Sequence, residues 1–130
     1  MVLDSSAIVA IALEESASER LMDAIDQAEI VVVGAPTLLE TLMVLNSRLG
    51  QDARPFVQDF LADVEAEVIE FGEAHFRSAS AAFTRFGKGI HPAGLNFGDC
   101  MSYAIADIAG MSLLFTGEDF SKTDVRRAKY

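Results

Sequence analysis

The sequence predicts an α/β fold: a single domain over residues 1–130, a three-layer α/β/α sandwich around a central, mainly parallel sheet. Three observations carry this. Short apolar runs ("MVL", "EIVVVGA", "EVIEF", "SLLF") recur along the chain, and between them lie segments with helically spaced apolar residues. Strands that alternate with helices are joined by crossovers, so they pair in parallel with helices on both faces. The 130 residues, 51% of them hydrophobic, suit one domain whose core needs no disulfide or metal staple.

Each element has a local reason. Met1–Leu3 reads as a short buried strand and Ala7–Leu13 as a helix. "SASERLMDAIDQA" is a second helix, with Ser16 and Glu19 in capping-box spacing and Leu21, Met22 and Ile25 on its apolar face. "EIVVVGA" is β-branched and ends in Gly34, which marks a strand. "PTLLETLMVLNSRLG" has Pro36 in its first turn and Gly50 past its end, the usual helix punctuation. A further helix is expected over 55–66, a third strand at "EVIEF", and a helix at "EAHFRSASAAFTRFG" ended by Gly87. "KGIHPAGLNFG" is a Gly- and Pro-containing loop. "DCMSYAIADIAG" is a helix with Asp99 near its N-terminus, "SLLFTGEDF" a last strand and turn, and a short basic tail follows. No linker, repeat or low-complexity tract interrupts this order.

The single cysteine, Cys100, excludes an internal disulfide and fits a reducing cytosol; it reads as a small buried residue. No stretch has a leader's basic and apolar regions or a membrane span's roughly 18 apolar residues. A soluble, cytoplasmic protein without membrane contact is the expectation. The net charge of −10 is unevenly placed. Through His75 there are fifteen acids and three bases; from Phe76 onward there are five acids and seven bases. A partner meets the local field, not the sum. Arg77, Arg85, Lys88 and His91 lie in an acid-free stretch, and Lys122, Arg126, Arg127 and Lys129 lie in the tail, so both regions are candidates for a phosphate backbone.

Four acids stand where an α/β sheet binds ligands, beyond the carboxyl ends of its strands. Asp4 ends the first strand; Asp119, beside Glu118 and ahead of Asp124, follows the last; Asp99 opens a helix; Glu40 lies one turn into another, among Leu38, Leu39, Leu42 and Met43. Each has a bland reading: Asp4 as a helix cap, Asp99 as a complement to the helix dipole, Glu40 as a residue at the edge of an apolar stripe, Asp119 as a turn residue. Together they would repel one another unless neutralised. Magnesium, a hard cation for carboxylate and water oxygens, does this. Zinc is not suited, because one Cys and two scattered His give no ligand spacing. A site of this kind supports phosphodiester hydrolysis. There is no Walker-type lysine loop for a nucleoside triphosphate.

"MVLDSSAIVAI", Glu40 within "PTLLETLMVL", "GLNFGDCMSYAIA" around Asp99 and "LLFTGEDFSKTD" together resemble a PIN-domain ribonuclease, and more closely a VapC toxin of the type II toxin–antitoxin systems. The similarity spans essentially the whole chain in the right order. It implies a PIN-like sandwich and a magnesium- or manganese-dependent endoribonuclease cutting RNA, a homodimer held inactive by a cognate antitoxin. Asp4 and Asp99 would be the principal metal ligands, with Glu40 completing the pocket and Ser6 a polar neighbour. Asn96 is expected to orient the Asp99 turn, and Arg85, Lys88 and His91 are candidate RNA contacts. At the fourth acid the chain departs from the common T-x-D-x-D-F pattern: in "FTGEDF" Gly117 replaces the first acid and Asp119 keeps the second, with Asp124 a substitute.

Two other classes fit parts of the pattern. An aspartyl-phosphate enzyme or receiver also places an Asp at a strand end, although "DSS" lacks the D-x-D of the haloacid-dehalogenase type and "EFGE" is a poor receiver site. A catalytically silent protein-binding module fits the length and apolar content.

Overall fold

A computed structural model describes residues 1–130. The elements run β1 (Val2–Leu3), α1 (Ser5–Ala12), α2 (Ser18–Asp26), β2 (Val32–Gly34), α3 (Ala35–Leu49), α4 (Arg54–Asp63), β3 (Glu67–Ile69), α5 (Glu73–Phe86), α6 (Phe97–Ala109) and β4 (Leu113–Leu114), with a 3-10 turn at Asp119–Lys122. The four strands are all parallel, in the order β3-β2-β1-β4. The chain thus builds outward from β1 in one direction, returns, and adds β4 on the other side. This leaves a topological switch between β1 and β4.

Period-two alternation sorts the layers. Val2, Val32 and Leu113 face one side, packing with Ala79, Ala82 and Phe86 of α5 and Tyr103, Ala104 and Ile105 of α6. Leu3, Val33 and Leu114 face the other, packing with Ala7 and Ile8 of α1, Leu21 and Ile25 of α2 and Phe60 of α4. A smaller cluster of Val9, Leu45, Ala53 and Val57 locks α3 and α4 onto α1. No helix is long and apolar enough to cross a membrane.

Local details depart from the sequence reading. Helix α1 starts at Ser5, two residues early, because Asp4 caps it. The Ser16–Glu19 capping box is absent: α2 begins at Ser18 after Ala17, with no side-chain cap. The reason lies upstream. Glu14 takes a left-handed conformation (φ 51), with Glu14 N–H on the Ile11 carbonyl and Glu15 N–H on that of Ala10, a Schellman closure. The Glu15 carbonyl then accepts from Ser18 N–H, so a backbone turn starts α2 directly. Helix α4 stops at Asp63 instead of 66 for the same reason: Glu65 (φ 49) reverses the chain. Helix α6 starts at Phe97, two residues before the reading placed it. The tail does more than trail: Arg127 bridges Leu113 in parallel, with Leu113 N–H donating to the Arg126 carbonyl and Ala128 N–H to the Leu113 carbonyl along the β4 edge.

Candidate active site

Asp4 leaves β1 in extended conformation and turns the chain into α1. Its Oδ2 accepts from Ser6 N–H at 3.0 Å and from Ser6 Oγ at 2.6 Å. The capping reading therefore describes one oxygen. The other, Oδ1, is buried with no hydrogen-bond partner, in a residue only 3% exposed. Leaving a carboxylate oxygen dry and unpaired is costly, so it calls for an explanation. Ser6 Oγ also accepts from Thr116 N–H at 3.0 Å, which ties the carboxyl ends of β1 and β4 together across the switch.

Asp99 is the N3 residue of α6 and shares a reciprocal box with Asn96. Asn96 Oδ1 accepts from Asp99 N–H at 2.9 Å, and Asp99 Oδ2 accepts from Asn96 N–H at 2.8 Å. One carboxylate oxygen is thus used and one is left. Burial pushes the Asp99 carboxyl up to about 6; the Asn96 hydrogen bond opposes this, and the charges of Asp4, Asp119 and Glu40 add to it. All four acids therefore share one electrostatic field, and Asp119 reaches it from an exposed turn.

Glu40 is half-buried on α3. Burial raises its pKa, a hydrogen bond with Ser5 lowers it, and the charge on Asp4 raises it further. Its carboxylate lies against Gly98: a β-carbon there would overlap both carboxylate oxygens. Gly98 is thus what lets Glu40 reach the first turn of α6 beside Asp99. One turn away on each helix, the Thr37 and Ser102 hydroxyls share a buried 3.1 Å hydrogen bond, and Thr41 Oγ1 donates to the Thr37 carbonyl. This polar strut sets the α3–α6 spacing. Sequence reading missed Ser5, Thr37, Gly98, Ser102 and Thr116; the glycine immediately before Asp99 and the hydroxyls spaced three from Glu40 and Asp99 were the available signals.

Other candidates fall elsewhere. Asp124 cannot substitute for Asp119, because Tyr103 OH donates to its Oδ1 and Arg85 to its Oδ2, both at 2.6 Å. Those partners hold its carboxyl below the usual range, and Arg85 is taken up in the same ion pair. His91 Nδ1 accepts from Ala93 N–H and its ring sits edge-on to Phe86, so it shapes its loop; Lys88 is exposed on the same loop. Cys100 is buried, and burial with the nearby Asp99 charge pushes its thiol up, away from reactivity.

As the side chains stand, no three acid, His or Cys groups close on one point. The donors are hard carboxylate oxygens only, one of them buried and unpaired. That set fits magnesium or manganese and offers nothing to a thiophilic metal.

The PIN domain model matches residues 1–126. A VapC ribonuclease of Mycobacterium bovis, Mb0640, is 38% identical over 125 residues, covering 96% of this chain and 95% of the relative. Among solved structures, the Mycobacterium tuberculosis toxin VapC20, described as cleaving the sarcin–ricin loop, superposes with a TM-score of 0.79 at 17% identity over 99% of this chain and 98% of its own. A toxin–antitoxin complex from Klebsiella pneumoniae gives 0.69 at 11% identity over 95% and 92%. With a matching domain model, near-complete alignment to a ribonuclease relative and the same three-layer topology, the chain belongs to the PIN domain family and groups within it with the VapC ribonucleases.

Proposed function

We propose that this protein is a divalent-metal-dependent endoribonuclease, the toxin of a toxin–antitoxin pair. The observation that carries the reading is the buried, unpartnered Oδ1 of Asp4 in a field shared with Asp99, Glu40 and Asp119. Support comes from the ribonuclease named among its relatives and from the toxin–antitoxin complex that shares its fold.

Asp4 and Asp99 would hold the ion, each with one oxygen already fixed by Ser6 or Asn96 and the other free. Glu40, directly or through water, and Asp119 would complete the pocket. Bound there, magnesium or manganese would supply a water of lowered pKa and neutralise charge on the phosphate. The protein's part is positioning. Ser6 and Asn96 stop their carboxylates from rotating away, and the Thr37–Ser102 strut keeps Glu40 in line with α6. A partner that silences such a pocket would present arginine, which pairs carboxylates in two-pronged fashion.

We also place a second copy of the chain on the exposed apolar face beside Glu40. Leu39, Met43 and Phe97 are 60%, 63% and 79% exposed, and with Phe71 and Met101 they line a groove of about 730 Å³. Apolar groups gathered in this way normally mark an interface. Light scattering of the wild type and of Phe97→Glu tests this: a dimer that becomes a monomer is expected.

The decisive experiment is cleavage of RNA in magnesium by wild type, Asp4→Asn and Asp99→Asn. Loss in both variants is expected, and full activity in both would sink the mechanism. An aspartyl-phosphate enzyme is less well supported, because Asp4 is buried and its Oδ2 is already held twice by Ser6.

A further inference from the structure

The ion pairs of this chain leave a telling remainder. Arg54, Arg77 and Arg85 are matched to Asp52, Glu73 and Asp124. Seven cations have no carboxylate within pairing reach, in a chain with twice as many acids as bases, and three of the seven, Arg20, Arg127 and Lys129, lie near one another. Arg20 and Arg127 rest instead on aromatic faces, Arg20 over Tyr130 and Arg127 over Phe115. These groups meet at one place. Because the tail runs parallel to β4, it ends at the same edge of the sheet as the four acids. There Phe115, Gly117 and Glu118 on one side and Arg127, Lys129 and Tyr130 on the other line a cleft of about 620 Å³. The cleft joins the acidic site through the backbone itself: Thr116 bonds Ser6, the partner of Asp4, and Gly117 (φ 87) and Glu118 turn the chain into Asp119.

We propose that this cleft is the track along which a single-stranded RNA reaches the carboxylates. Arg127 and Lys129 contact its phosphates, and Tyr130, 41% exposed and backed by Arg20, stacks on a base. Unpaired cations beside an exposed aromatic are the combination that holds single strands without sequence readout. A site with four acids repels a polyanion, so phosphates need cations close by but outside it. Arg85, already paired with Asp124, does not offer this. An acidic peptide would use the cations and leave Tyr130 idle, which separates the two ligands. The inference rests on the nuclease reading, but it is tested without catalysis.

The test is fluorescence anisotropy of a short labelled single-stranded RNA of mixed sequence, in EDTA, over a range of salt concentrations. Arg127→Ala with Lys129→Ala is expected to weaken binding and to flatten the log–log salt slope by about 0.7 per lost contact. Tyr130→Ala is expected to weaken binding about tenfold with the slope kept, and Tyr130→Phe to restore it. Arg85→Ala is expected to change neither. The altered side chains are exposed, so thermal melts should match wild type. Unchanged affinity and slope in the double variant, an equal loss in Arg85→Ala, or a polyglutamate peptide competing as well as RNA would each overturn the inference. Binding through this cleft by a protein that never cleaves RNA would instead overturn the nuclease reading and leave the cleft standing.

Discussion

Asp4 does two things with two oxygens, and substitution can separate them. In Asp4→Asn the amide oxygen still accepts from Ser6 N–H, and Asn caps as well as Asp. Thermal unfolding without metal should therefore be unchanged or slightly raised, while cleavage falls by about 10²–10³-fold, the worth of several kcal/mol of lost charge stabilisation. Asp99 carries a pH signature. Its folded carboxyl sits at about 6 against 3.8 unfolded. Between those values the folded state holds the proton more tightly, so this group's contribution is fully present below about 4 and is lost as pH rises through 6. Metal-free wild type should accordingly lose about 1–2 kcal/mol relative to Asp99→Asn between pH 4 and 7, after allowance for its partial exposure. Denaturant melts at both pH values check this; parallel curves would contradict it. Gly98→Ala puts a methyl group where the Glu40 carboxylate lies. Because that carboxylate is the end of a flexible chain, stability should hardly move while activity drops, and pairing the change with Glu40→Ala should add little further loss.

At the scale of elements, the site is assembled mostly from termini: the end of β1 with the start of α1, the first turn of α6 and the turn after β4, with Glu40 joining from the second turn of α3. Helix starts leave unsatisfied N–H groups and a partial positive charge, which eases the gathering of acids there. Asn96, an exposed residue, is a direct test of that arrangement. Asn96→Ala removes the cap of α6 and frees the Asp99 backbone, so it should cost about 1 kcal/mol in stability and more in activity than that loss alone explains. The helix ends at Glu14 and Glu65 pay for a left-handed backbone without glycine. Glu65→Gly should raise stability by about 1 kcal/mol, read from a urea melt, with cleavage unaffected.

For the whole molecule, the acidic pocket couples folding to metal. A cation that binds only the folded state at a hundredfold over its dissociation constant adds about 2.7 kcal/mol. Melting temperature should therefore climb with magnesium in wild type and stay flat in Asp4→Asn combined with Asp99→Asn; equal shifts in both would mean that the ion binds elsewhere.

The alternation of apolar runs and helical segments was enough to set the layers, because burial on both faces leaves a parallel strand no other composition. Asp4, Glu40 and Asp99 could also be picked out in the sequence, since acids at strand ends and in apolar stripes break local pattern. Asn96 was legible only as a side chain able to orient the Asp99 turn; that it caps a helix beginning at Phe97 came from the structure. What the linear chain could not decide was everything that depends on approach between distant segments. The orphaned oxygen of Asp4, the room that Gly98 leaves for Glu40, the Thr37–Ser102 strut and the diversion of Asp124 into bonds with Tyr103 and Arg85 exist only once α3, α6 and the tail have packed. Periodicity reports which face of an element is buried; it carries no information on which side chain of another element will stand opposite.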